Sequence, residues 1–177
     1  MTIPFIQQLL LMLMVVAAAC TDLYSRRIPN KLLLACGLGA IVLHLAGPAP
    51  GEALLRALGG FGTGLAVFLP LYLMRGMAAG DVKLMAATGL FLPPGEVLWL
   101  AVLTVCAGGA MGVAVVIWQG RWRDALTNVL SLLRPLWMAV LGVRLAAEPL
   151  PKQSVGSLPY GLAIASATLF LLAQQHG

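Results

Sequence analysis

The feature that most constrains this chain is its succession of apolar runs long enough to cross a bilayer. No charged side chain occurs from Ile3 to Cys20, and none from Val97 to Trp118. A helix needs about 20 predominantly apolar residues to traverse a hydrocarbon core roughly 30 Å thick. Only 10% of the 177 residues are charged and 60% are hydrophobic, whereas a soluble domain carries about 25% charged and about 45–50% apolar residues. That balance excludes a soluble globular enzyme. It also excludes a disordered tail, which needs low hydrophobicity and high charge. The expected fold is all-α: a single membrane-embedded domain, built as a polytopic helix bundle of about six transmembrane helices plus one interfacial amphipathic helix.

The breaks between the runs place the helices. The first run, Ile3 to Cys20, ends in Ala17-Ala18-Ala19-Cys20, which has the look of a lipoprotein cleavage site. A signal peptide needs basic residues before its apolar run; here Arg26, Arg27 and Lys31 follow it. The segment therefore reads as a retained helix with its N-terminus outside. A second helix is expected from Asn30 to Leu45, after Pro29 and before Gly47, Pro48, Pro50 and Gly51. A third runs from about Leu54 to Met74, its first half lined by Gly59, Gly60, Gly62 and Gly64, which allow close helix approach in lipid. A fourth starts after Asp81 and stops near Pro93-Pro94, short for a full span and so expected to be buried in protein. The fifth covers Val97 to Trp118 and the last Tyr160 to Ala173.

Residues 121–157 are of mixed character. Thr127, Asn128, Ser131 and Arg134 share one helical face and Leu126, Leu130, Leu133 and Trp137 lie largely on another. Arg134 at a bilayer centre costs about 2.5–3.5 kcal/mol, a cost that a helix lying in the interface avoids. The interfacial reading is preferred to a seventh span.

The net charge of +5 does not indicate nucleic acid, because the cations fall between apolar runs. With the N-terminus outside, Arg26, Arg27, Lys31, Arg75, Lys83, Arg121, Arg123, Arg134, Arg144 and Lys152 are cytoplasmic and only Arg56 is external, as the positive-inside rule requires. Cys20, Cys36 and Cys106 form no CxxC pair, so they are read as buried free thiols rather than a zinc site or disulfide framework. His44 reads as an interface or packing residue. No metal or other cofactor is expected.

Chemistry must then come from few acids: Asp22, Glu52, Asp81, Glu96, Asp124 and Glu148. The last helices to consider are those bearing Asp22 and Asp81, because both residues fall near the same, cytoplasmic, membrane face. Acids near the hydrocarbon boundary usually face protein or water. Two held close together cannot both ionise easily, so they share one proton. The ionised member can then activate water while the protonated one polarises a peptide carbonyl. A plainer reading stands beside this one: Asp22 pairs with Arg26 at i+4, and Asp81 caps the fourth helix after a turn at Gly80. Asp124 suits a cap before the amphipathic helix, and Glu52, Glu96 and Glu148 sit beside Gly or Pro in loops.

The sequence around both aspartates resembles a known family. Asp22-Leu23-Tyr24-Ser25-Arg26-Arg27-Ile28-Pro29-Asn30 resembles the D-x-x-x-x-x-I-P-N signature of type IV prepilin peptidases, and Gly80-Asp81-Val82-Lys83-Leu84 their G-D-V-K-L signature. Pro159-Tyr160-Gly161-Leu162-Ala163-Ile164-Ala165 is similar to the P-Y-G-x-A-I-A segment of the short members that serve Tad or Cpa (Flp) pili. The resemblance implies an intramembrane aspartyl peptidase of the bacterial inner membrane, with Asp22 and Asp81 as the catalytic pair at the cytoplasmic face. Its substrate would be a prepilin or pseudopilin with a short basic leader. Gly80, Lys83 and Asn30 would be supporting residues: Asn30 as the cap of the second helix, and Lys83 either as an anchor of its loop or only as a topology determinant. The wider family often shows G-x-G-D, where this chain has Ala78-Ala79-Gly80-Asp81. It also lacks the cysteine-rich zinc segment of the longer members, so no methyltransferase activity is expected. The rival readings are an inactive or scaffolding pilus-assembly protein and a small proton-coupled transporter; a transporter often shows repeated halves and a midplane site, and neither is visible. The oligomeric state is not readable.

Overall fold

The computed structural model describes residues 2–74, 76–120 and 160–176. Among them are six helices and no strand: α1 (Thr2–Ser25), α2 (Asn30–Leu45), α3 (Pro50–Leu73), α4 (Ala79–Gly89), α5 (Pro94–Trp118) and α6 (Tyr160–His176). The chain is an all-α membrane helix bundle. The expected amphipathic helix within 121–157, and the choice between it and a seventh span, lie outside the described residues.

Three helices, α1, α3 and α5, are long and apolar enough to cross a membrane. α2 and α6, with 16 and 17 residues, reach about 24–26 Å at 1.5 Å per residue. α4 has only 11 residues, about 16 Å, short for a full span as expected. α4 needs no match to the bilayer because protein surrounds it: it packs on α1, α2, α3 and α6, and Val82 and every residue from Leu84 to Gly89 are buried.

The chain divides into two units, residues 1–108 with 159–177 and residues 109–158, the boundary falling within α5. In the first, Leu11, Val15 and Ala18 of α1 join Leu84 and Met85 of α4, Val97 and Leu100 of α5 and Ile164 and Leu171 of α6 in one core. Small residues let α3 and α4 touch backbone to backbone: a methyl group on Gly60 would run into the carbonyl oxygens of Gly89 and Leu92. In the second unit the described residues are the end of α5, closed by Gly120 in the left-handed region at φ 66°.

The end of the first unit away from Asp22 is tied by His44. Its Nε2 lies 2.8 Å from the Leu90 carbonyl oxygen and its Nδ1 3.2 Å from Gln7 Nε2. A carbonyl only accepts, so Nε2 carries the proton and Nδ1 accepts from the Gln7 amide. His44 is thus a packing residue that joins α1, α2 and α4. The three cysteines are free, but only Cys36 is buried; Cys20 and Cys106 lie on exposed helix faces, which corrects the expectation of three buried thiols.

Candidate active site

α1 does not stop at Cys20 but continues to Ser25, so Asp22 sits inside the helix. Polar residues still serve the helix there: Thr21 Oγ1 donates to the Ala18 carbonyl at 3.0 Å and Ser25 Oγ to that of Thr21 at 2.7 Å. Leu11, Val15 and Ala18 recur at helical spacing on the core face, and Asp22 follows Ala18 by four residues. The acid therefore continues the buried stripe. The helix closes where Arg26 donates its N–H to the Asp22 carbonyl at 3.0 Å and itself adopts φ 53°, a conformation uncommon outside glycine.

The four residues that follow bring α2 beside the start of α4. Pro29, with φ −67° and ψ 123°, stands at the N-cap of α2; the expectation that Asn30 caps this helix is corrected, since Asn30 is its first residue. Asn30 instead accepts a hydrogen bond through Oδ1 from Lys83 Nζ at 3.2 Å. Ile28 lies against Gly80, where an added methyl would meet it at 3.5–3.6 Å, an ordinary contact. The two signatures thus interlock, and Lys83 ties α4 to α2.

Asp81 is not the N-cap of α4. Ala78 holds that position and Asp81 is the third helical residue, reaching back so that its Oδ2 accepts the Ala78 N–H at 3.2 Å. This is half of a capping box, because alanine has no side-chain oxygen to complete the other half. Ala78 adopts φ −82° and ψ 152°, an extended conformation open to any L-residue. The alanine in place of the first glycine of G-x-G-D therefore costs no backbone strain.

Asp22 and Asp81 are 8% and 5% exposed, and among the described residues they are the only charged side chains that are buried. α1 and α4 are in contact. Burial first, and the charge of Asp22 second, push Asp81 from the usual 3.8 up to about 6, against a smaller opposing pull from the Ala78 N–H. Asp81 belongs to the short α4, outside the three span-length helices. The carboxylate of Asp22 has a partner from the far end of the chain: its Oδ2 accepts the Gly161 N–H of α6 at 2.9 Å. The other acids are elsewhere. Glu52 pairs with Arg56 at 3.1 Å on the surface of α3, Glu96 stands in the first turn of α5, and Asp124 and Glu148 lie outside the described residues.

The model of the type IV leader peptidase family matches residues 9–113, more than half of the chain. This chain belongs to the type IV leader peptidase family. Searches of curated proteins and of solved structures found no match. The matched stretch of this leader peptidase holds both aspartates, Asn30, Gly80 and Lys83. It does not reach α6, so Gly161 lies beyond it. The place of Gly161 against Asp22 was also missed by sequence reasoning, although its signal was present: a glycine directly after Tyr160, at the start of the last apolar run.

Proposed function

We propose that this protein is a prepilin leader peptidase of the short, Flp-pilus type, acting through Asp22 and Asp81 at the cytoplasmic face of the bacterial inner membrane. The observation that carries this reading is the burial of two carboxyl groups, and no other charged group among the described residues, on adjoining helices, where burial first and the charge of Asp22 second raise the pKa of Asp81 to about 6. Burying a charge is expensive, and a pair sharing one proton is the state that peptide hydrolysis uses.

One carboxylate takes a proton from water as the water oxygen bonds to the scissile carbonyl carbon, and the other carboxyl gives its proton to the carbonyl oxygen. The tetrahedral intermediate then collapses. Its C–N bond breaks, the leaving nitrogen takes a proton from the first carboxyl, and the re-forming carbonyl returns one to the second. The dyad ends as it began. A basic leader stays in the cytosol while the pilin's apolar helix remains among the spans. Seven residues, Leu23 to Pro29, separate Asp22 from Asn30, with no room for a zinc segment, which supports a peptidase without methyltransferase activity.

Cleavage of a co-expressed Flp-type prepilin tests this. Wild type should remove the leader, while Asp22→Asn and Asp81→Asn, present in the membrane at wild-type level, should leave it intact. Normal cleavage by both variants would make the pair structural. No cleavage by wild type across several pilins would favour the scaffold or transporter reading.

A further inference from the structure

Both aspartates come from the first half of the chain, yet the group that holds one of them comes from the last helix. Gly161 is the second residue of α6, a position whose N–H has no acceptor within its own helix. It donates to Asp22 Oδ2 at 2.9 Å across 139 residues of sequence, and the bond is buried. We propose that Gly161 is a positioning residue of the peptidase: its backbone N–H holds the Asp22 carboxylate by one oxygen, so that Asp22 takes the proton from water and Asp81 gives one to the substrate carbonyl. This rests on the two-aspartate reading above and adds to it a division of roles.

The steric surroundings point the same way. A methyl group on Gly161 would stand 2.9 Å from both Cβ and Oδ2 of Asp22 and 3.2 Å from its Cγ. The carboxylate therefore lies directly over the Gly161 Cα, in space that any side chain would take. The start of α6 is itself fixed from another side. Tyr160 rests on Gly108 of α5, where a methyl group would meet the ring Cε1 at 2.9 Å. The helix terminus facing Asp22 also carries partial positive charge, which favours an anion there. Asp81 is held differently. Its longer bond, 3.2 Å, goes to Ala78 of its own helix start, and among the described residues it has no hydrogen bond from α6. The upward shift of its pKa, by burial first and the charge of Asp22 second, agrees with its role as the acid.

The test uses the full chain in lipid nanodiscs and a synthetic prepilin peptide carrying a basic leader. Gly161→Ala should remain folded, keep its KM, and lose kcat by about 100-fold, the size of effect a displacement of about 1 Å produces in a catalytic group. Gly108→Ala, which touches neither aspartate, should lower kcat in the same direction through Tyr160. Selective 15N-glycine labelling supplies an arm that does not depend on Gly161→Ala folding: the Gly161 amide proton resonance should move upfield in Asp22→Asn and stay in place in Asp81→Asn. A Gly161→Ala enzyme with wild-type kcat, or a Gly161 amide indifferent to Asp22→Asn, would overturn the proposal while leaving the peptidase reading intact, provided that wild type cleaves and both Asn variants do not. Failure of wild type to cleave would remove the peptidase reading and this proposal with it.

Discussion

At the scale of single residues, the two aspartates differ in what surrounds them, and Asp81 offers the sharper measurement. Its folded-state value of about 6 lies above the usual 3.8, so the fold favours the protonated form. The stability it contributes is complete below about pH 3.8 and is lost as pH rises through about 6. Asn cannot ionise, so Asp81→Asn is expected to melt higher than wild type above pH 6, by up to about 3 kcal/mol. Infrared titration of the protonated carboxyl band should show a midpoint near 6 in wild type. In Asp22→Asn that midpoint should fall, because the second cause of the shift has been removed. A midpoint unchanged by Asp22→Asn would show that the two carboxyls are not electrically coupled. Both acids were legible in the sequence because a charge in so apolar a chain is conspicuous. The contact that Gly161 makes was not, because a glycine signals missing atoms, and only the fold tells what fills their place.

At the scale of elements, close approach of α3 and α4 decides where Asp81 stands. Gly60 and Gly89 face one another with no space for a Cβ on either. Since the clash is with backbone rather than with a flexible side chain, Gly60→Ala must push the helices apart. It should lower stability by about 1–3 kcal/mol, as overpacking does, and reduce cleavage with it; thermal melts in detergent alongside the cleavage assay would measure both. Gly80→Ala is the contrast. Its methyl would meet Ile28 at ordinary distance, and in a helix alanine is favoured over glycine by about 0.5–1 kcal/mol. An undiminished melting temperature is expected there. The small-residue run Gly59 to Gly64 announced close packing in the sequence, but not its partner. The start and end of α2 were read as they stand, since Pro29 and Gly47-Pro48 leave the backbone little choice. α1 ends five residues beyond the apolar run, because Thr21 and Ser25 bond back to the helix and Asp22, expected at the helix end, faces the core.

At the scale of the whole molecule, charge predicts orientation. Among the described residues, Arg26, Arg27, Lys31 and Lys83 cluster near the Asp22 ends of α1, α2 and α4, and Arg56 lies on α3, near the end marked by His44. Alkaline phosphatase fused within residues 46–49 should be active outside the cytoplasm, and fused within residues 26–29 it should be inactive. The reverse pattern would put the aspartates on the wrong face for a cytosolic leader. Membrane residence and the all-α bundle were determined by the sequence alone, because backbone groups in lipid must be satisfied within each segment and apolar runs of this length admit only helices. The two acids stood out as charges at the ends of apolar runs, and the charge bias predicts that they share a membrane face. Only the tertiary structure decided which helices enclose α4, that Asn30 binds Lys83 rather than capping its helix, and that an N–H from α6 reaches Asp22. Each of these depends on which helix ends meet across long stretches of chain, and local propensity carries no information about that.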